Sequence, residues 1–325
     1  TDANDRMART SKMNMIMHGD GHGGVHHHDG FINVNGIFDG RFDIVFTNPP
    51  FGANVEFGDV IQESEVIVST ELRKRYVAEF GDAYITAYEK VHAAKDSPIA
   101  SLYELPRSSN SKIKTEILFI ERCLNLLKPG GRMGIVLPEG VFNNPSLQYV
   151  RQFCENRAFI RAVVSLPQEA FYSSGASVKA SLFFLQKFTL KEKAKFDLEY
   201  QKAREEIENK YIPEITNEKN RLYDVIEKVK VAKDTTKRKA LQKELSEYEK
   251  KIETQKTIEA RALWKERVDY PIFMYEAEYV GISATGEADY NELYPNDNLP
   301  PNIEKTCLEW YREFGQNPEV FMLEQ

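Results

Sequence analysis

Apolar positions along the chain fall into a few recurring patterns. Residues 42–46, within Arg41-Phe42-Asp43-Ile44-Val45-Phe46-Thr47-Asn48-Pro49-Pro50-Phe51-Gly52, form a short apolar run. Such a run predicts a strand buried on both faces of a parallel sheet. Residues 115–127 place Ile117, Ile120, Cys123, Leu124 and Leu127 at helical spacing. That helix stops at Lys128-Pro129-Gly130-Gly131, a sequence suited to a chain-reversing turn. Residues 132–138 read as the next buried strand, 145–156 as a helix and 160–166 as a further strand. The β-α-β-α-β order predicts a doubly wound α/β sheet. A loop over 168–175 and a strand of mixed pattern over 177–188 follow.

Upstream, residues 6–17 have a helical pattern with Met7, Met13, Ile16 and Met17 available for an apolar face. Residues 25–28 read as a short strand ending at Asp29, and Gly36 to Gly40 as a turn feeding the strand before Asn48. Asp2 and Asp29 are therefore acids at or just after candidate strand ends. Residues 56–110 are mixed and polar, with helices expected over 72–80 and 84–94 and a loop at Ser108-Ser109-Asn110-Ser111. An excursion this long predicts a lid over a site or a DNA-contacting insertion, with a surface embellishment as the plainer alternative.

Residues 191–270 change character, carrying 21 basic and 18 acidic groups. Leu241, Leu245, Tyr248 and Ile252 recur at four, three and four, and Ile207, Tyr211, Ile215, Leu222 and Val229 make a looser stripe. Pro213 is expected to kink or restart the first helix. Asp234-Thr235-Thr236 offers a turn and an N-cap, so the stretch predicts an antiparallel helical hairpin projecting from the sheet. It reads either as a self-packed solvated hairpin or as a partner-docking arm. A returning strand over 270–279 and an amphipathic helix over 303–314 close the chain, with Trp310, Tyr311 and Phe314 expected in the core. The domains expected are 1–190 with the insertion 56–110, the arm 191–269 and the tail 270–325.

Composition narrows the class. The 325 residues are 42% hydrophobic, enough for a substantial core. Three cysteines, Cys123, Cys154 and Cys307, give neither a disulfide framework nor a paired metal knuckle, which points to a reducing cytoplasm. No signal peptide or apolar run of membrane-spanning length is present, so no membrane partner is expected. Net charge is −7, and residues 271–325 carry 11 acidic groups against 2 basic ones. Such a tail repels DNA and is expected to face solvent or a basic partner. His18, His22, His26, His27 and His28 raise a metal reading, but Gly19, Gly21, Gly23 and Gly24 break any helix there and no Cys or Glu joins at ligand spacing. A Gly/His-rich loop without metal is expected.

Candidate chemistry concentrates at Asn48-Pro49-Pro50-Phe51. The strand must stop at Asn48, because both prolines lack an N–H and fix φ. The Asn48 amide oxygen and the Pro49 carbonyl are acceptors able to converge on one amino group, and Phe51 offers a ring to a flat base. Together they describe a pocket for an exocyclic amine such as adenine N6; the plainer alternative is a tight turn after a strand.

These residues resemble amino-methylating DNA methyltransferases, and most closely the methylation (M) subunits of type I restriction-modification systems. The matching pieces are Lys12-Met13-Asn14-Met15 with His18-Gly19, Phe42-Asp43 through Asn48-Pro49-Pro50-Phe51-Gly52, Leu126-Leu127-Lys128-Pro129-Gly130-Gly131-Arg132, and Val136-Leu137-Pro138-Glu139-Gly140-Val141. Phe171 through Phe184, and Val280-Gly281 with Ala284-Thr285-Gly286, resemble the family too. The resemblance implies a Rossmann-like α/β methyltransferase sheet that uses S-adenosyl-L-methionine, with the helical hairpin arm inserted. It implies Asp2 as the acid on the cofactor's ribose hydroxyls and Asp29 as the acid near its adenine. Asn48 and Pro49 would accept from the target amine, Phe51 would stack on an adenine extruded from the duplex, and Phe171 would pack its other side. Implied partners are double-stranded DNA, a sequence-reading specificity (S) subunit, a restriction (R) subunit and a second M copy. The family's glycine-rich cofactor loop lies upstream of the residue matching Asp2, so the N-terminal part of the sheet is expected to be missing and residues 1–325 to hold part of the cofactor pocket. Competing functions are a stand-alone methyltransferase on cytosine N4 or protein glutamine, and a non-catalytic scaffold bridging DNA and partners.

Overall fold

The computed structural model describes residues 2–21, 24–32, 34–107, 112–175, 177–231 and 235–321. The predicted loop at Ser108–Ser111 lies outside the described residues, as do Asp234 and the side chain of Val229. In chain order the elements are α1 (Asp5–Met17), β1 (Phe42–Thr47), β2 (Asn54–Glu56), α2 (Glu63–Val66), α3 (Thr70–Phe80), α4 (Asp82–Ala93), β3 (Lys112–Lys114), α5 (Thr115–Leu126) and β4 (Leu127–Pro138). They continue with α6 (Gly140–Asn143), α7 (Gln148–Glu155), β5 (Ala158–Ser165), β6 (Ala180–Lys187), α8 (Leu190–Val231), α9 (Thr235–Arg267), β7 (Phe273–Glu276), β8 (Val280–Ile282), β9 (Ala288–Asn291) and α10 (Cys307–Gln316). Two compact units result, one from residues 1–189 with 271–325 and the other from 190–270.

The first unit is built on a five-stranded sheet in the order β1-β4-β6-β5-β7. Strands β1 and β4 are parallel, as are β5 and β7, while β6 runs antiparallel between β4 and β5. Four strands therefore share one direction, with α5 joining β1 to β4 and α7 joining β4 to β5, a Rossmann-like α/β arrangement. The strand of mixed pattern is β6, and its residues divide between two cores as a pleat requires. Phe183 and Leu185 join the main core with Ile117, Ile120, Met133 and Ile135, whereas Leu182 and Phe184 pack in a second cluster with Phe273 and Trp310.

Several expectations are corrected. Strand β1 is not buried on both faces: it lies at the sheet edge, and Ile44 and Phe46 are 49% and 75% exposed. On their face α10 packs at the β7 end, where Tyr311 and Phe314 meet the Phe273 ring. Lys128-Pro129-Gly130-Gly131 is no simple reversal but an irregularity inside β4, where the register jumps from Phe42↔Leu127 to Ile44↔Arg132. Gly130 has φ +83°, and a Cβ on Gly131 would lie 3.0 Å from the Lys128 carbonyl oxygen and 3.1 Å from that of Asp43. Residues 25–28 form no strand; one parallel bridge, Asp2 to His27, is all that joins them to Asp2. Met7, Met13, Ile16 and Met17 of α1 are exposed and Ala8 is its buried residue. Helix α8 runs through Pro213 without restarting.

The excursion is part of the core. Ile61, Val66, Val91, Ile99 and Leu105 belong to the main cluster, and Val55 and Ile113 join it from either side of the excursion. It is also tied down by polar groups of α5, which are buried and must be paired. Glu121, 1% exposed, accepts from the Glu104 and Leu105 backbone N–H groups at 2.8 Å. Burial raises its carboxyl above the ordinary range despite those bonds. At the other end of α5, Lys187 Nζ donates to the carbonyls of Leu124 and Leu127 at 2.7 and 2.8 Å, satisfying terminal groups the helix leaves open.

The second unit is the pair α8 and α9. Ile207, Tyr211 and Ala260 form one buried cluster and Leu222, Ile226 and Leu245 another. Lys256, 8% exposed, bridges Glu208 at 2.6 Å and Glu253 at 2.9 Å.

Glu121→Gln is expected to destabilise the first unit by about 1–3 kcal/mol, because an amide nitrogen would face backbone N–H donors. Chemical denaturation reads this directly, and an unchanged midpoint would refute the clamp. Tyr84 is fully buried and its hydroxyl finds no partner among the described residues, so Tyr84→Phe is expected to be neutral or mildly stabilising in the same measurement.

Candidate functional site

Strand β1 ends at Thr47, and the two prolines carry the chain out of the sheet at its carboxyl edge, where open α/β sheets bind ligands. The segment is then anchored downstream. Lys114 Nζ donates to the Gly52 carbonyl at 3.0 Å, and the Thr115 N–H donates to the Ala53 carbonyl at 3.1 Å. Gly52 has φ +78°, a turn that a side chain would strain. Asn48 and Pro49, by contrast, accept no hydrogen bond from any described residue. Pro49 is buried and Asn48 exposed. The loop is fixed by its neighbours while its two predicted acceptors stay unspent.

Asn48, Pro49 and Pro50 line a cavity of about 690 Å³ that also contains Asp2 and Asp29. Asp2 pairs with His27 through backbone bonds to His26 and His28, and its Oδ1 accepts from the Asn4 N–H at 2.7 Å just ahead of α1. Asp29 Oδ1 accepts from the Phe31 N–H at 2.7 Å. Each carboxylate thus spends one oxygen on its own turn. The predicted pair Phe51 and Phe171 stands outside this lining. Their rings meet edge to face, centroids 6.3 Å apart at 81°, so a base stacked between them would have to part them.

The sequence reading missed the cavity's contribution from α5: Thr115, Phe119, Arg122, Cys123 and Leu126. Thr115, Phe119, Arg122 and Leu126 recur at four, three and four, one face of the helix, with Cys123 beside Arg122. The available signal was Arg122, a charge beside Cys123 and Leu124 of the helix's apolar positions. No described residue of the excursion lines the cavity, so the described part of the excursion is not a lid over it. Cys123 does line it, but burial pushes its thiol up to about 12, which keeps it protonated and unsuited to nucleophilic attack.

A second cavity of about 370 Å³ lies over the face of Ile44 and Phe46, with Cys307, Leu308 and Tyr311 on its other side; it holds none of the predicted site residues. Among the described residues no three His, Cys, Asp or Glu side chains gather as a metal set. No described helix is long and apolar enough to cross a membrane.

The family model for N-6 DNA methylase matches residues 1–265. The chain belongs to the N-6 DNA methylase family. Among curated proteins none matches the chain by sequence. Among solved structures it is similar to the type I restriction enzyme EcoKI M protein, with 20% identity over 58% of this chain and 31% of that one and a TM-score of 0.36. It is similar to a modification subunit assigned to a type I restriction enzyme of Vibrio vulnificus YJ016, with 16% identity over 57% and 31% and a TM-score of 0.36. A structure described by the assembly and conformational transition of the type I R-M system gives 24% over 54% and 27%, with a TM-score of 0.34. The chain spans under a third of the length of these proteins.

All three cysteines are buried and unpaired, with thiols raised to about 12 at Cys123 and Cys154 and about 11 at Cys307. The native protein is therefore expected to take up no iodoacetamide at pH 8 while the unfolded chain takes up three equivalents, read by intact mass. Labelling of native Cys123 at the rate of a free thiol would contradict the burial described.

Proposed function

We propose that this N-6 DNA methylase transfers a methyl group from S-adenosyl-L-methionine to N6 of an adenine extruded from double-stranded DNA, as the cytoplasmic modification subunit of a type I restriction-modification complex. The observation that carries the reading is the pair of unspent acceptors at Asn48 and Pro49 in the same cavity as Asp2 and Asp29. Two carboxylates, each with one oxygen that accepts from no described residue, suit a ligand bearing hydroxyls and an exocyclic amine. The apolar lining from Phe31, Ile37 and Phe119 suits a flat ring.

Asp2 would hold the ribose hydroxyls and Asp29 the adenine end. Bound there, S-adenosylmethionine would supply a sulfonium methyl, the electrophile for an amine. Asn48 and Pro49 would accept the two N–H groups of the target amine, fixing its orientation and enriching its nitrogen in electron density. Phe51 would stack on the base, with Phe171 beside it. No thiol is required, consistent with the protonated Cys123.

The partners follow from the resemblance: DNA, a specificity subunit, a restriction subunit and a second modification subunit. On α8, Leu198, Ile212 and Tyr223 are about half exposed and recur at 14 and 11 residues, close to whole helical turns. That stripe supports reading the arm as the place where a helical partner docks.

Asn48→Ala is expected to lower methyl transfer to an adenine-containing duplex by at least about 100-fold, the scale of losing a positioned polar group at a reacting centre. S-adenosylmethionine affinity should stay within about threefold. Tritium transfer followed by mass analysis of the nucleosides, with the specificity partner present, makes the test. Methylation appearing on cytosine N4, or undiminished transfer by the variant, would sink the proposal.

A further inference from the structure

Asp29 stands in irregular backbone. The described residues from His28 to Asp39 contain no helix or strand, and no ladder joins them. Side chains from two directions do so instead. From α5, Arg122, 6% exposed, donates Nε to the Gly30 carbonyl at 2.9 Å, Nη2 to the Ile37 carbonyl at 3.2 Å and Nη1 to the Asp39 carboxylate at 2.9 Å. From the excursion, the Tyr103 hydroxyl donates to the Phe31 carbonyl at 2.6 Å and Lys90 Nζ to Asp39 at 3.2 Å. His28 Nε2 lies 2.8 Å from the Glu65 carbonyl, also in the excursion. The Phe31 ring lies against Phe119 of α5, centroids 4.6 Å apart, and against Tyr103 at 6.0 Å.

We propose that Tyr103 and Arg122 are positioning residues: by gripping consecutive carbonyls from opposite elements they fix the backbone that presents Asp29 to the cavity. The proposal rests on the reading of that cavity as a cofactor pocket and gives the excursion a role within it. Gly30 and Phe31, whose carbonyls are gripped, both line the cavity, as does Arg122 itself. Three of the five guanidinium N–H groups, one on each nitrogen, are committed to these acceptors, which assigns Arg122 to holding the wall. Tyr103 does not line the cavity and acts wholly through Phe31. The excursion thereby acts as a buttress to the pocket.

The test compares the wild type with Tyr103→Phe and Arg122→Lys, using Tyr84→Phe as a control within the same excursion. Two readouts are taken: hydrogen exchange of the peptide spanning 28–39, and calorimetric titration with S-adenosylmethionine, followed by turnover at saturating cofactor. Tyr103→Phe removes one hydrogen bond and should weaken cofactor binding about 3- to 10-fold. Arg122→Lys, a point charge that cannot serve three diverging acceptors, should weaken it more. Both should speed exchange over 28–39 while kcat at saturation stays within about twofold, and Tyr84→Phe should change neither readout. Wild-type exchange and affinity in Tyr103→Phe would overturn the proposal, even if Arg122→Lys fails to fold. If the wild type binds no S-adenosylmethionine, the functional reading fails separately, and the positioning role with it; exchange over 28–39 then still reports whether Tyr103 fixes the segment.

Discussion

Burial of a charge obliges the protein to pair it, and on α5 two consecutive residues carry that obligation. Glu121 and Arg122 are 1% and 6% exposed, and every bond described for them ends on a segment without regular structure. Glu121 closes on the backbone N–H groups of 104 and 105; Arg122 closes on the carbonyls of 30 and 37. Neither charge can tolerate loss of its partners, since an unpaired buried ion costs several kcal/mol. The helix that packs the sheet through Ile117, Ile120 and Leu124 therefore also sets the position of the excursion and of the pocket wall. A pocket wall without regular structure thus takes its rigidity from a core helix.

What the sequence made legible follows from the range of the forces involved. The ending of β1 before Asn48 is a local consequence of two prolines, and α5, β4, α7 and β5 are each marked by a periodicity that a single element displays. The arm's stripe of Ile207, Tyr211, Leu222 and Leu245 is equally local, because each helix packs chiefly on its neighbour. Asp2, Asp29 and Asn48 do share a cavity.

The illegible parts depend on pairing at a distance. An apolar run cannot tell a central strand from an edge strand, so the exposure of Ile44 and Phe46 did not show in the pattern. Gly134 hints at it only in three dimensions: a Cβ there would lie 2.6 Å from the Phe46 ring and 3.1 Å from that of Phe184, so the glycine makes room for rings lying across the strand. The antiparallel insertion of β6 was hidden for the same reason. The strand at 25–28 failed because its apolar content is a single valine, and that backbone is tied instead by one bridge to Asp2, by His27 Nε2 near the Ala3 carbonyl at 3.1 Å and by His28 Nε2 near the Glu65 carbonyl at 2.8 Å. The excursion looked polar in sequence, yet Ile61, Val66, Val91, Ile99 and Leu105, scattered along it, all join the main core.

The same division explains how the Asn48 loop can be both stiff and available. Stiffness ordinarily consumes hydrogen-bonding groups, since a loop is held by spending its carbonyls and N–H groups on neighbours. Here proline supplies the constraint covalently at two positions, where there is no N–H to satisfy, and the anchoring bonds begin only at Gly52 and Ala53. The acceptors at Asn48 and Pro49 therefore remain uncommitted without the entropy that a free loop would have to lose on binding. A loop of ordinary composition would gain acceptors for a ligand only by becoming mobile. The prolines remove that conflict, so the string holds two acceptors in place without spending them on any described residue.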